Sequence, residues 1–166
     1  MERSIGVRGL PRIGVTGHTR LNARTRALML DAVTSALREH AGPDLHGVTC
    51  LAAGADQLFV RALLVVQGTF EVVLPALDYR ESVVSASGRA EFDELLGKAS
   101  SVRTMPFEKS SRDAYVAANS AMLDRAELLF AIWDGRPSRR PGDTADVVST
   151  ARDRNIPTRV FWPAAS

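Results

Sequence analysis

Arg12-Ile13-Gly14-Val15-Thr16-Gly17-His18, followed by Asn22 and the run Ala23–His40, decides the fold. Arg12–Thr16 reads as a short buried strand that ends at Gly17. Asn22 predicts an N-cap, because its side chain can accept from the free amides of a first helical turn. Ala27, Leu30, Val33 and Leu37 recur at helical spacing, and Gly42-Pro43 stops the helix. A buried strand, a glycine turn and an amphipathic helix together open a strand–helix–strand unit.

The same unit recurs outward along the chain. Val48–Ala53 predicts a second strand ending at Gly54, and Asp56–Gln67 a helix closed by Gly68. Phe70–Leu74 predicts a third strand, ended by Pro75. Residues 76–89 read as loop, Ala90–Ala99 as a helix and Ser101–Met105 as a short fourth strand. Ser111–Arg125 predicts a helix, and Leu128–Trp133 the most hydrophobic strand. Asp134–Gly142 reads as a Gly/Pro/Arg loop, Thr144–Arg154 as a helix capped by Asp143 or Thr144, and Pro157–Trp162 as a last strand. Unbroken apolar strands separated by helices imply a mostly parallel sheet covered on both faces. The expectation is an α/β, doubly wound, Rossmann-like three-layer sandwich forming one domain over residues 12–166, with 1–11 as an N-terminal tail.

Composition sets limits on function. A chain of 166 residues, 45% hydrophobic, can bury a core without a disulfide or metal staple. Cys50 is the one cysteine, which excludes an intrachain disulfide and a Cys₄ or Cys₂His₂ zinc site. His18, His40 and His46 are dispersed, so no metal site is expected, and no cofactor motif stands out. The start lacks a signal-peptide pattern, and the apolar stretches 63–66 and 128–133 fall far short of the roughly 20 residues of a membrane span. The expectation is a soluble cytoplasmic protein that does not contact a membrane. Net charge is +2, and the basic residues are 19 Arg and two Lys. No basic stripe appears and the six phenylalanines are scattered, which argues against a nucleic-acid partner.

Ligands of open α/β sheets bind beyond the carboxyl ends of the strands, so the residues that follow each strand are the informative ones. Thr16-Gly17-His18 and Arg20 follow the first strand. Gly17 permits close approach of a ligand, or simply a tight turn. His18 suits a phosphate, a ribose or a helix cap. No G-x-G-x-x-G is present, so a redox dinucleotide role has little support. Gly54-Ala55-Asp56 follows the second strand, with Asp56 as N-cap or ribose ligand, and Pro75, then Asp78-Tyr79-Arg80, follow the third. Trp133-Asp134-Gly135 follows the fifth, and Trp133 either fills the core or backs a base. Gly142-Asp143-Thr144 opens a helix whose free amides suit phosphate, although the Asp143 carboxylate competes for them. Arg136, Arg139 and Arg140 precede it, and Asn119 shares a helix face with Tyr115.

Taken together, segments 13–18, 51–56, 71–75 and 131–135 leading to 142–148 resemble the SLOG superfamily of Rossmann-like nucleotide-binding proteins. That group is related to the LONELY GUY phosphoribohydrolases and to DNA-processing protein A. The resemblance covers about residues 12–163. It implies a sensor or binding module for a nucleotide or nucleotide-derived small molecule, and, by analogy, a homodimer. The hydrolase branch carries Pro-Gly-Gly-x-Gly-Thr-x-x-Glu and a preceding arginine. Here Asp143 replaces a glycine, Val147 stands at the acid position with Asp146 one place early, and Ala118 with Asn119 stands near the arginine. The alternative implied is nucleoside 5′-monophosphate N-glycosidic hydrolysis with Asp146 and Asp56 as the catalytic acids.

Overall fold

The computed structural model describes residues 11–164. The expected tail, residues 1–11, falls outside them except for its last residue. Six strands form one sheet: β1 Arg12–Gly17, β2 His46–Thr49, β3 Thr69–Leu74, β4 Ser101–Thr104, β5 Leu128–Ile132 and β6 Thr158–Phe161. The helices are α1 Ala23–Arg38, α2 Ala55–Val65, α3 Tyr79–Ser82, α4 Arg89–Leu96, α5 Arg112–Arg125 and α6 Thr144–Asp153. The strand order is β4-β3-β2-β1-β5-β6, and every pairing is parallel. The chain builds outward from β1 to β4, returns through α5, and continues on the other side of β1. The order therefore reverses between β1 and β5, where a crevice opens at the carboxyl ends.

The alternation of side chains along each strand divides the core. Ile13, Val15, Phe70, Val72, Phe130 and Ile132 pack with α1, α2 and α4. Val48, Val73, Leu129 and Ala131 pack with α5 and α6. The Rossmann-like three-layer expectation is therefore the observed architecture. Asn22 caps α1, its Oδ1 accepting from the Thr25 amide at 2.7 Å.

Two expectations need correction. The second strand is His46–Thr49, not Val48–Ala53. The Leu51 amide donates to Thr49 Oγ1 at 2.9 Å and Leu51 takes φ +57°, so the chain leaves the ladder at Cys50. Residues 50–52 are apolar because they are covered, not because they pair. The segment 76–89 is not simply loop: it holds α3 and a 3-10 turn at Ala86–Gly88. Tyr79 is buried there against Phe92, which anchors the short helix.

Candidate functional site

Two glycines set the geometry where β1, β5 and α2 converge. A Cβ on Gly17 would stand 2.4 Å from Ala55 Cβ and 2.6 Å from the Ile132 carbonyl oxygen. Gly54 takes φ +77°, and a Cβ there would meet the His18 carbonyl oxygen at 2.5 Å. This contact lets the Ala55 amide donate to that same oxygen at 3.0 Å, while the His18 amide donates to Ile132 at 3.2 Å. Three loops are thereby pinned around one cleft of about 360 Å³. That volume is near the lower end of the roughly 300–1,000 Å³ of small-molecule sites.

Asp56, Thr16 and Tyr79 form the inner wall, each more than nine-tenths buried. Asp56 is not the α2 N-cap; Gly54 holds that place. The Asp56 Oδ2 instead accepts from the Ala52 amide at 3.2 Å. Burial pushes its carboxyl up to about 7, against the opposing pull of the Ala52 amide, the Thr49 hydroxyl and the Cys50 amide. Burial also pushes the Cys50 thiol up, with the Asp56 charge adding to it, and raises the Tyr79 phenol. Among the described residues no sealed side-chain nitrogen or oxygen lacks a hydrogen bond. The Thr16 and Tyr79 hydroxyls have no protein partner among the described residues and are not sealed from solvent, and both residues line the cleft.

The outer wall is cationic. Tyr115 stands edge-on to Tyr79 with ring centres 6.5 Å apart, and the Arg112 guanidinium lies 5.7 Å from the Tyr115 ring. Arg140 faces the same opening from the loop before α6. Among the described residues neither arginine has a carboxylate partner. Asn119 Nδ2 donates to the Gly142 carbonyl at 3.3 Å, tying α5 to that loop.

The start of α6 is occupied by the chain's own acids. Asp143 caps it, accepting from the amides of Asp146, Arg139 and Arg140 at 2.9, 2.8 and 3.2 Å and from Ser138 Oγ at 2.9 Å. These amides outweigh burial and hold its carboxyl below the ordinary range. Asp146 Oδ2 accepts from the Gly142 amide at 2.7 Å.

Most of the expected site residues converge here. Thr16, Gly17, His18, Asp56, Pro75, Asn119, Gly142, Asp143 and Thr144 line the cleft. Ala55 packs behind Gly17. Arg20 and Gly54 line an adjoining hollow with Arg26 and Glu91. Trp133 and Asp134 line another hollow with Arg136 and Arg139, and Gly135 lines neither. The His18 ring turns away from the cleft floor. Its Nε2 lies 3.1 Å from the Asp134 amide and 3.2 Å from Asp134 Oδ1, and the ring stands edge-on to Trp162. Of the two acids expected as a catalytic pair, only Asp56 lines the cleft. The sequence puts Tyr79 at the edge that follows the third strand but does not single it out, because it lies in a segment without clear periodicity. Arg112 escapes because it sits in a helix's first turn, where a basic residue looks like surface. No group of three or more His, Cys, Asp or Glu is placed to hold a metal among the described residues.

No protein-family model and no curated protein matches the chain. Solved structures do. DNA processing protein A from Streptococcus pneumoniae superposes with a TM-score of 0.67 at 14% identity, over 94% of this chain and 51% of that one. DNA processing protein A from Helicobacter pylori, in a structure describing its single-stranded DNA binding mode, gives 0.67 and 14% over 95% of this chain and 67% of that one. The chain thus spans about half the length of the first of these proteins. The argument from composition against a nucleic-acid partner does not stand, because the Helicobacter pylori protein, which shares this fold, binds single-stranded DNA. At this identity the likeness carries the fold: the chain is a Rossmann-like α/β domain of the kind found in DNA processing protein A.

Proposed function

We propose that the cleft between β1 and β5 binds a nucleotide unit, and that the domain works as a binding module or sensor. One observation carries this reading: Arg112 and Arg140, without carboxylate partners among the described residues, flank the cleft at the reversal of strand order. Free nucleotides and nucleotide-derived small molecules are the first ligands to consider. Single-stranded DNA is the second reading. It is favoured by the two adjoining hollows, which share residues with the cleft and carry Arg20, Arg26, Arg136 and Arg139. It is favoured also by the ligand of the Helicobacter pylori neighbour.

Hydrolysis by Asp146 and Asp56 has less to support it, since Asp146 is not among the cleft-lining residues and its carboxylate is engaged by the Gly142 amide.

Thermal-shift titration with AMP, ADP-ribose, cyclic nucleotides and NAD tests the first reading, because a ligand of the native state must stabilise it. Fluorescence anisotropy with labelled oligo(dT) tests the second, with affinity expected to fall as salt rises. A shift with a small nucleotide supports a free-nucleotide site. Salt-sensitive oligo(dT) binding, lost in Arg112→Ala/Arg140→Ala, supports DNA. If neither ligand class binds at millimolar concentration, the proposal is wrong.

A further inference from the structure

Resting on the reading of this cleft as a nucleotide site, we propose that the nucleotide enters nucleoside-first: the uncharged sugar and base meet Thr16, Asp56 and Tyr79 at the inner wall, while the phosphate stays outside between Arg112 and Arg140.

The first ground is the state of the helix starts. In many α/β proteins a phosphate sits on the free amides opening a helix. Around this cleft several of those amides already have a partner within the chain. In α2 the Ala55 amide donates to the His18 carbonyl, and the Gln57 amide to the Ala52 carbonyl. At α5 the Ser111 hydroxyl accepts from the Ala114 amide. At α6 Asp143 and Asp146 accept from the amides of Arg139, Arg140, Gly142 and Asp146. A phosphate at the α6 start would meet the Asp143 and Asp146 carboxylates, groups of its own sign.

The second ground is the inner wall itself. Of the basic lining residues, Arg112 and Arg140 are exposed and the His18 ring is engaged by Asp134. The polar groups of the inner wall are the Thr16 and Tyr79 hydroxyls, which have no protein partner among the described residues, and one carboxyl, Asp56. A desolvated phosphate with no cation at hand is strongly disfavoured. A sugar hydroxyl or the edge of a base, which both donates and accepts, matches hydroxyls and a carboxyl without that penalty. Burial of Asp56 adds to this, since a carboxyl titrating at about 7 holds a proton to donate in much of the protein near neutral pH. The Tyr79 and Tyr115 rings supply apolar surface alongside.

The test compares four nucleosides, their 5′-monophosphates and inorganic phosphate by calorimetry, on the full chain and on variants. The expected result is that a nucleoside binds, its monophosphate binds more tightly, and inorganic phosphate does not compete with the nucleoside. Arg112→Ala/Arg140→Ala should bring monophosphate and nucleoside to the same affinity and abolish the salt dependence of the difference. Tyr79→Phe should weaken nucleoside and monophosphate by the same factor, roughly three- to tenfold for one lost hydrogen bond. Asp56→Asn should act likewise, and Tyr79→Phe decides the matter if Asp56→Asn does not fold. Inorganic phosphate displacing the nucleoside, or monophosphate affinity untouched by Tyr79→Phe, overturns the orientation. Oligo(dT) that binds while no nucleoside or mononucleotide does overturns it as well and leaves the nucleotide-unit reading standing. Failure of every ligand, oligo(dT) included, removes both.

Discussion

Asp56 is the residue whose environment departs furthest from what its sequence position suggests. An acid two residues after a glycine at a helix start looks like a cap, and the structure turns it into a buried wall of the cleft. Its folded-state value of about 7 lies above the ordinary carboxylate value of 3.8. Between those two values the native state holds more protons than the unfolded chain, so the contribution of Asp56 to stability falls as pH rises from about 4 to about 7. The size is about 1.4 kcal/mol for each unit of difference. Asp56→Asn cannot ionise and escapes this loss. Its unfolding free energy, measured by urea denaturation relative to the wild type, should therefore rise across that window; a flat difference would show that Asp56 titrates as an ordinary surface acid. At this scale the sequence was partly legible. It placed Asp56 at the ligand edge, but burial depends on Tyr79 and α3, which lie in a segment with no periodicity to read.

The loop from Asp134 to Gly142 and the start of α6 behave as one element, held by Asp143. Four donors converge on that carboxylate, three of them backbone amides. Asp143→Ala leaves these donors without their partner and should destabilise the protein by about 1–2 kcal/mol. Amide hydrogen exchange should quicken at Arg139, Arg140 and Asp146 and stay unchanged in β1; equal protection in both proteins would mean the loop is held by something else. Helices with a cap residue and a 3.6-residue period were read to within a few residues, as α1 and α6 show. For the second strand the apolar pattern starts two residues late. Its apolar run continues past Thr49 under the cover of α2, while its true start, His46-Gly47, looks polar and small. His46 belongs in the strand because its ring bonds to Thr69 and Glu71 on β3, and Gly47 because a Cβ would strike Leu63 and Phe59. Both reasons are contacts with distant residues, which a local pattern does not contain.

For the whole molecule, the alternation of strands and helices was enough to give the layers and the parallel sheet. The place where the strand order reverses was not legible, since it depends on α5 carrying the chain back across the sheet. That reversal is what brings Thr16, Asn119 and Thr144 to one opening from three separate parts of the chain. An open sheet also has two ends. Its outer strands, β4 and β6, have four residues each and carry Arg103 and Arg159 inside them, beside the exposed Val102 and Val160. A short strand with a charge along it is a poor template for another strand, and arginine resists being stripped of water in a stacked pair. Arg159 is further held to Glu39 at 2.7 Å and lies 5.1 Å from the Phe161 ring. Arg103→Val would join Val102 to a second β-branched apolar residue on an uncovered margin. Light scattering of concentrated protein should then show faster growth of aggregates, with thermal stability little changed; unaltered scattering would remove Arg103 from this role. The two arginines at the margins thus act before any ligand is met, as gatekeepers of colloidal behaviour: they keep a sheet that is open by construction from growing into its neighbours.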